Sequence, residues 1–251
     1  MRRLLTAVVL VAAAASVSGA AAGGGIGLSA SPLRVTLRGP SASVITVRNP
    51  GRRALRVDVS RAGFVRSLSG RPRVEPGGED AVWLRLRPRR FRILPGGKAT
   101  LHVAARPSRH TGPGDHLALA LLTTRPLGVQ RVRVRMRVGV IVVLHVRGRI
   151  VRRLEARSLS VRRGAAGRLL ELLLVNRGNV TERLGDDRLR LELVRKGRVF
   201  ATLRPRRREL LPRSAGLAEF AYRGPVRGDV VARLQLRPSV RGVRRSFHVR
   251  F

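Results

Sequence analysis

The 251-residue sequence has no cysteine, only two lysines, one tryptophan, one tyrosine and 14 acidic residues. Without cysteine there is no disulfide scaffold, thiolate metal site, cysteine nucleophile or lipid-modified N-terminal cysteine. Aromatic residues are 3% of the chain, too few to furnish the stacking platforms of a single-strand nucleic-acid binder, and no recognition helix is apparent. Past the N-terminus the longest apolar run, residues 138–146, is interrupted by Gly139 and His145 and is about half the length a membrane helix needs. What is abundant is arginine. It accounts for 51 of the 53 basic side chains, Lys98 and Lys196 being the others, and the formal net charge is +39. Such a charge would suggest disorder in a polar chain, but hydrophobic residues at 43% supply material for a core.

Met1-Arg2-Arg3 opens the chain, residues 4–15 are apolar apart from Thr6, and small residues stand at Ser18 and Ala20. This pattern predicts a cleaved signal peptide over residues 1–20, followed by a glycine-rich leader over 21–27. The glycine cluster lacks a preceding strand, a following helix and a Lys-Ser/Thr ending, so it is a linker and not a phosphate loop. An exported protein is expected, in the periplasm, at the cell surface or outside the cell, with no integral membrane segment.

The remainder reads as strands. Leu33, Val35 and Leu37 alternate with Arg34, Thr36 and Arg38; Leu55, Val57 and Val59 with Arg56, Asp58 and Ser60; Val82, Leu84 and Leu86 with Trp83, Arg85 and Arg87. Asn49-Pro50-Gly51, Leu94-Pro95-Gly96-Gly97 and Gly112-Pro113-Gly114 punctuate these runs, and Leu210-Leu211-Pro212 repeats the Leu94-Pro95 arrangement late in the chain. Two-residue periodicity cut every ten or so residues predicts an all-β protein of two Ig-like antiparallel β-sandwich domains, over 28–147 and 148–251. A single larger barrel is the competing architecture. Trp83, on the same face as Arg85 and Arg87, is either stacked under guanidinium groups, part of an exposed patch, or brought into the core by a bulge.

The most regular segment is 131–138. Arg131, Arg133, Arg135 and Arg137 face one way, roughly 6.6 Å apart at about 3.3 Å of rise per residue, and Val132, Val134, Met136 and Val138 face the other. The arginines are candidate ligands for an anionic partner: cell-wall polymer, acidic polysaccharide, lipid headgroups or non-specifically bound nucleic acid. The competing reading is compositional. Arginine almost without lysine is what a GC-rich genome favours, and here it fills the polar faces of nearly every strand.

Residues 44–51, 94–101 and 112–122 together resemble the first domain of periplasmic pilus-assembly chaperones. Leu172-Leu173-Leu174-Val175-Asn176-Arg177-Gly178-Asn179-Val180 is similar to turns of paired-sandwich surface proteins that interact with WxL proteins and peptidoglycan. The chaperone resemblance implies a mechanism in which the last strand of the first domain lends Val132, Val134, Met136 and Val138 to an unfinished subunit, strand edge to strand edge. It also implies two basic residues holding the client's terminal carboxylate. Arg34 falls near one such position, while the other is occupied by Val143.

No catalytic chemistry is indicated. Gly-x-Ser-x-Gly, His-Glu-x-x-His, Walker and calcium-loop patterns are absent from the sequence, and no carboxylate pair can be nominated. His110, Asp115 and His116 form the one His/Asp cluster, and Asp186-Asp187 an acidic loop; neither has enough ligands for a metal, so turn and solvated-loop roles are expected and no cofactor is implied. The expected function is a non-enzymatic envelope interaction module for an anionic polymer or a surface protein; the alternative, implied by the chaperone resemblance, is a pilus-chaperone-like holder of unfinished β-subunits.

Overall fold

A computed structural model describes residues 27–75, 81–125, 134–164, 167–185, 188–225, 228–236 and 243–251. The signal peptide, all of the leader but Gly27, and Arg131, Val132, Arg133, Asp186 and Asp187 lie outside the described residues. Within them the protein is all β, its antiparallel sheets stacked in a sandwich-like manner. Among the described residues no helix is long and apolar enough to cross a membrane.

Two compact units divide the chain. The first comprises residues 1–64, 74–112 and 116–147, and the second 65–73, 113–115 and 148–251. The strands that build the first are β1 (Ser29–Ser31), β2 (Arg34–Arg38), β3 (Ala42–Arg48), β4 (Leu55–Arg66), β5 (Pro72–Glu75), β6 (Leu84–Arg87), β7 (Arg90–Ile93), β8 (Lys98–Ala105), β9 (Gly114–Thr124) and β10 (Arg137–Val146). One sheet has the order β1-β3-β8-β6. The other runs β2-β10-β9-β4-β5, with β7 also paired to β4. The described pairs are antiparallel except β2 with β10, which run parallel. Alternation sets the core: Val35, Leu37, Ile45, Val47, Val57, Leu101, Val103, Leu122, Val142 and Leu144 point inward and are buried, while intervening polar residues face out.

Strands β11 (Leu154–Gly164), β12 (Gly167–Asn176), β13 (Glu182–Leu184), β14 (Leu189–Arg195), β15 (Arg198–Leu203), β16 (Arg208–Leu210), β17 (Ala215–Tyr222), β18 (Asp229–Leu236) and β19 (Val243–Arg250) belong to the second unit. They form sheets β11-β12-β17, β13-β16 and β15-β14-β18-β19. Leu170, Leu172, Leu174, Leu189, Leu191, Leu193, Phe220 and Leu234 are its innermost side chains. The parity of β14 breaks at a register shift between Leu193 and Val194, which is why both of these neighbours are buried.

The same turn device occurs in both units. Buried Asn49 donates through Nδ2 to the carbonyls of Arg53 (2.8 Å), Ile93 (3.2 Å) and Leu94 (3.1 Å), and its Oδ1 accepts from the Gly51 amide at 3.0 Å. Buried Asn176 donates to Val180 (2.8 Å), Leu210 (3.3 Å) and Leu211 (3.0 Å), and accepts from the Gly178 amide at 2.9 Å. Backbone bonds correspond as well: the Asn49 amide donates to Gly97, and the Asn176 amide to Ser214. Each buried asparagine thus ties an Asn-x-Gly turn to a remote Leu-Pro turn and has its own amide group satisfied there.

One parity expectation is corrected. Val82 is exposed, Trp83 is buried at 3% exposure and Leu84 is buried beside it. The strand begins only at Leu84, and Trp83 lies in the preceding turn, where its carbonyl accepts from the Arg106 amide. Trp83 is therefore a core residue of the first unit and not an exposed platform beside Arg85 and Arg87.

Candidate functional site: an open strand edge

Strand β10 is bordered unequally. On one side β9 accompanies it; on the other, β2 pairs only with residues 141–145, from Ile141 opposite Arg34 to His145 opposite Arg38. The Ile141 amide donates to the Leu33 carbonyl at 3.0 Å, and the Gly39 amide to the His145 carbonyl at 2.9 Å, so the odd-numbered peptide groups face β2. Toward β9, the Thr124 amide donates to the Met136 carbonyl and the Met136 amide to Thr124 Oγ1, both at 2.9 Å. Successive residues point their backbone groups to opposite edges, so Arg135, Arg137 and Gly139 present N–H and C=O groups on the β2 side. Among the described residues no strand pairs with them there. The reason lies in the chain path: β1 belongs to the other sheet, and the backbone joins β10 only at Arg34.

The side chains of β10 and of residues 134–136, which lead into it, form a graded row. Leu144, Val142 and Val140 are fully buried; Val138 and Met136 are partly buried against the same core; Val134 is 42% exposed. The inward face of the strand therefore carries the core's own apolar surface out to solvent, along the stretch whose edge is open. Of the expected strand donors, Val134, Met136 and Val138 lie together on this row; Val132 lies outside the described residues. Arg34, partly buried on β2, stands opposite Ile141 where the open stretch ends, and Val143 is buried.

Of the expected anionic-partner residues, Arg135 and Arg137 are exposed on the outward face, and Arg131 and Arg133 lie outside the described residues. The sheet register adds neighbours that the sequence did not reveal. Arg56 is opposite Arg92 in the β4–β7 pair, and the Arg125 amide donates to the Arg56 carbonyl. The Thr124–Met136 bond sets Arg125 opposite Arg135. Arg92, Arg56, Arg125 and Arg135 thus form one cross-strand row, all exposed, and Arg90, Asp58, Thr123 and Arg137 form the next. Asp58 pairs with Arg90 (3.2 Å) and Arg125 (3.6 Å). Among the described residues no carboxylate forms an ion pair with Arg56, Arg92, Arg135 or Arg137.

In the cluster of His110, Asp115 and His116, two side chains have backbone partners. His116 Nε2 lies 2.8 Å from the Gly112 carbonyl, and Asp115 Oδ2 accepts from the Thr181 amide at 2.8 Å. Among the described residues no group of three or more His, Asp or Glu side chains is arranged to hold a metal ion.

The geometry defines a class: an all-β protein of sandwich-like units in which, among the described residues, β10 is left unpaired along part of one side. No protein-family model matches the sequence, and no curated protein does. Among solved structures the chain is similar to the class 5 fimbriae chaperone CfaA, at 8% identity and a TM-score of 0.49 over 88% of this chain and 98% of that one. It is similar also to the CsuC–CsuE chaperone–tip adhesion subunit complex of Acinetobacter baumannii Csu pili, at 15% identity and 0.46 over 89% and 98%. A third is the Escherichia coli chaperone DraB, at 14% identity and 0.46 over 83% and 91%.

Proposed function

We propose that the protein is an exported, non-enzymatic holder of β-strands from a partner protein, pilus-chaperone-like in its mode of action. The client segment lies along residues 134–140, bonds to the open backbone groups of Arg135, Arg137 and Gly139, and packs beside Val134, Met136 and Val138. The observation that carries this reading is the coincidence of two features on one stretch. The apolar row continuous with the core emerges into solvent where, among the described residues, the strand edge lacks a neighbour. An open edge with an apolar row is a liability for a monomer, since it templates association with any free strand; for a holder of strands it is the working surface. Each added backbone hydrogen bond contributes about 1 kcal/mol and each newly covered apolar side chain about 1–2 kcal/mol, so a five- to seven-residue segment suffices for useful affinity.

The experiment is hydrogen exchange on the mature protein, alone and with the partner that copurifies from envelope fractions. A one-to-one partner that slows exchange at Arg135, Arg137 and Gly139 is the expected result. Arg137→Pro removes an open-edge donor without touching the bonds to β9, and it should abolish that complex while the fold persists. A tightly bound partner that leaves these three amides exchanging freely would overturn the reading. The polymer-binding alternative predicts salt-sensitive retention on isolated cell wall that falls in Arg135→Glu/Arg137→Glu.

A further inference from the structure

If the protein captures a strand at this edge, the sheet also specifies what that strand carries, and we infer that the captured segment alternates apolar with acidic residues. The inference rests on the strand-capture reading and adds the partner's chemistry to it. A segment added beside β10 becomes the next strand of the sheet, so its side chains fall into the cross-strand rows already there. The inward rows end in Met136 and Val138 and call for apolar side chains. The outward rows end in Arg135 and Arg137. Behind Arg135 stand Arg125, Arg56 and Arg92 in succession, and behind Arg137 the Thr123, Asp58, Arg90 row. These two rows hold six arginines and one aspartate, and that aspartate is already shared by Arg90 and Arg125.

Charges directly opposite on adjacent strands interact through roughly 5 Å, so a basic residue at the new position meets repulsion and a carboxylate completes an unneutralised row. Arg135 and Arg137 are two residues apart, so the client carries acids at positions i and i+2 with apolar residues between and beside them. No two of the 14 acidic residues of this chain are spaced i, i+2, which makes the occupant a different protein and not a second copy.

The test uses the full mature chain and four labelled peptides, read by fluorescence anisotropy. One has valine at the inward positions and glutamate at two outward ones. The second has threonine at the outward positions, the third lysine, and the fourth the composition of the first with the two acids adjacent. The alternating acidic peptide is expected to bind about 2- to 30-fold more tightly than the threonine peptide, with lysine weakest and the advantage shrinking as salt rises. The adjacent-acid peptide, which reports the pull of the overall charge, should show no such advantage. In Arg135→Glu/Arg137→Glu the order should invert, in Arg135→Gln/Arg137→Gln it should flatten, and reversing Arg195 and Arg198, which belong to the second unit, should leave it unchanged. Equal binding of acidic and threonine peptides, or a preference that survives the double reversal, overturns the inference while leaving strand capture intact. If none of the alternating peptides binds, strand capture itself fails and the inference with it.

Discussion

Asn49 and Asn176 show how much one amide can organise. Three carbonyls converge on each Nδ2 and one amide on each Oδ1, so only one orientation of the side chain satisfies the site, and the pattern is the same in both units. Replacing either by alanine removes four hydrogen bonds at a buried side chain and should cost about 1–3 kcal/mol in urea unfolding. Aspartate, nearly isosteric, should be no better than alanine, because a carboxylate cannot donate and instead sets a second oxygen against three carbonyls. An Asn176→Asp variant as stable as the parent would show that the donor role is wrong. In the sequence both residues are visible as turn formers and the later Leu-Pro repeat is visible too. The link is not, because Ile93 and Leu94 are 44 and 45 residues from Asn49. Trp83 illustrates another limit. Parity assigns a face only from the point where a strand starts, and nothing local marks Leu84 as that point.

At the scale of elements, strands and their inward faces follow largely from alternation, and β10 with the residues leading into it is the clearest case: 134, 136 and 138 are apolar and continue the parity of buried 140, 142 and 144. That its edge is open over 134–140 depends on where β2 joins, about a hundred residues earlier in the chain. The same holds for the arginine rows, whose members come from four strands. Arg56 and Arg92 face each other directly, an arrangement of like charges that destabilises a sheet. Arg92→Glu should therefore stabilise the first unit by a few tenths to about 1 kcal/mol, seen as a rise in the urea midpoint without a change in slope. An unchanged midpoint would mean that the two guanidinium groups are already separated by solvent.

For the whole molecule, the +39 charge is met by sharing carboxylates. Glu155 is paired with Arg153, Arg157 and Arg177, and buried Glu182 with Arg152 and Arg188. Glu209 is shared by Arg66 and Arg183. With so few acids, repulsion among the remaining arginines outweighs exposed ion pairs worth little each. Raising sodium chloride from about 0.05 to 0.5 M should thus raise the melting temperature by a few degrees, since the screening length falls from about 14 Å to about 4 Å over this range. A fall would show that ion pairs dominate.

The all-β class, the turns and, away from strand starts and register shifts such as those at Trp83 and Val194, the inward residues of the strands follow from the sequence, because these depend on neighbours within a few residues. Tertiary structure alone decided which strand edge stays open, which arginines align into rows, and which remote carbonyls each asparagine holds. Those are consequences of register between strands tens of residues apart, and register is set by the packing of the whole core, which no local pattern encodes.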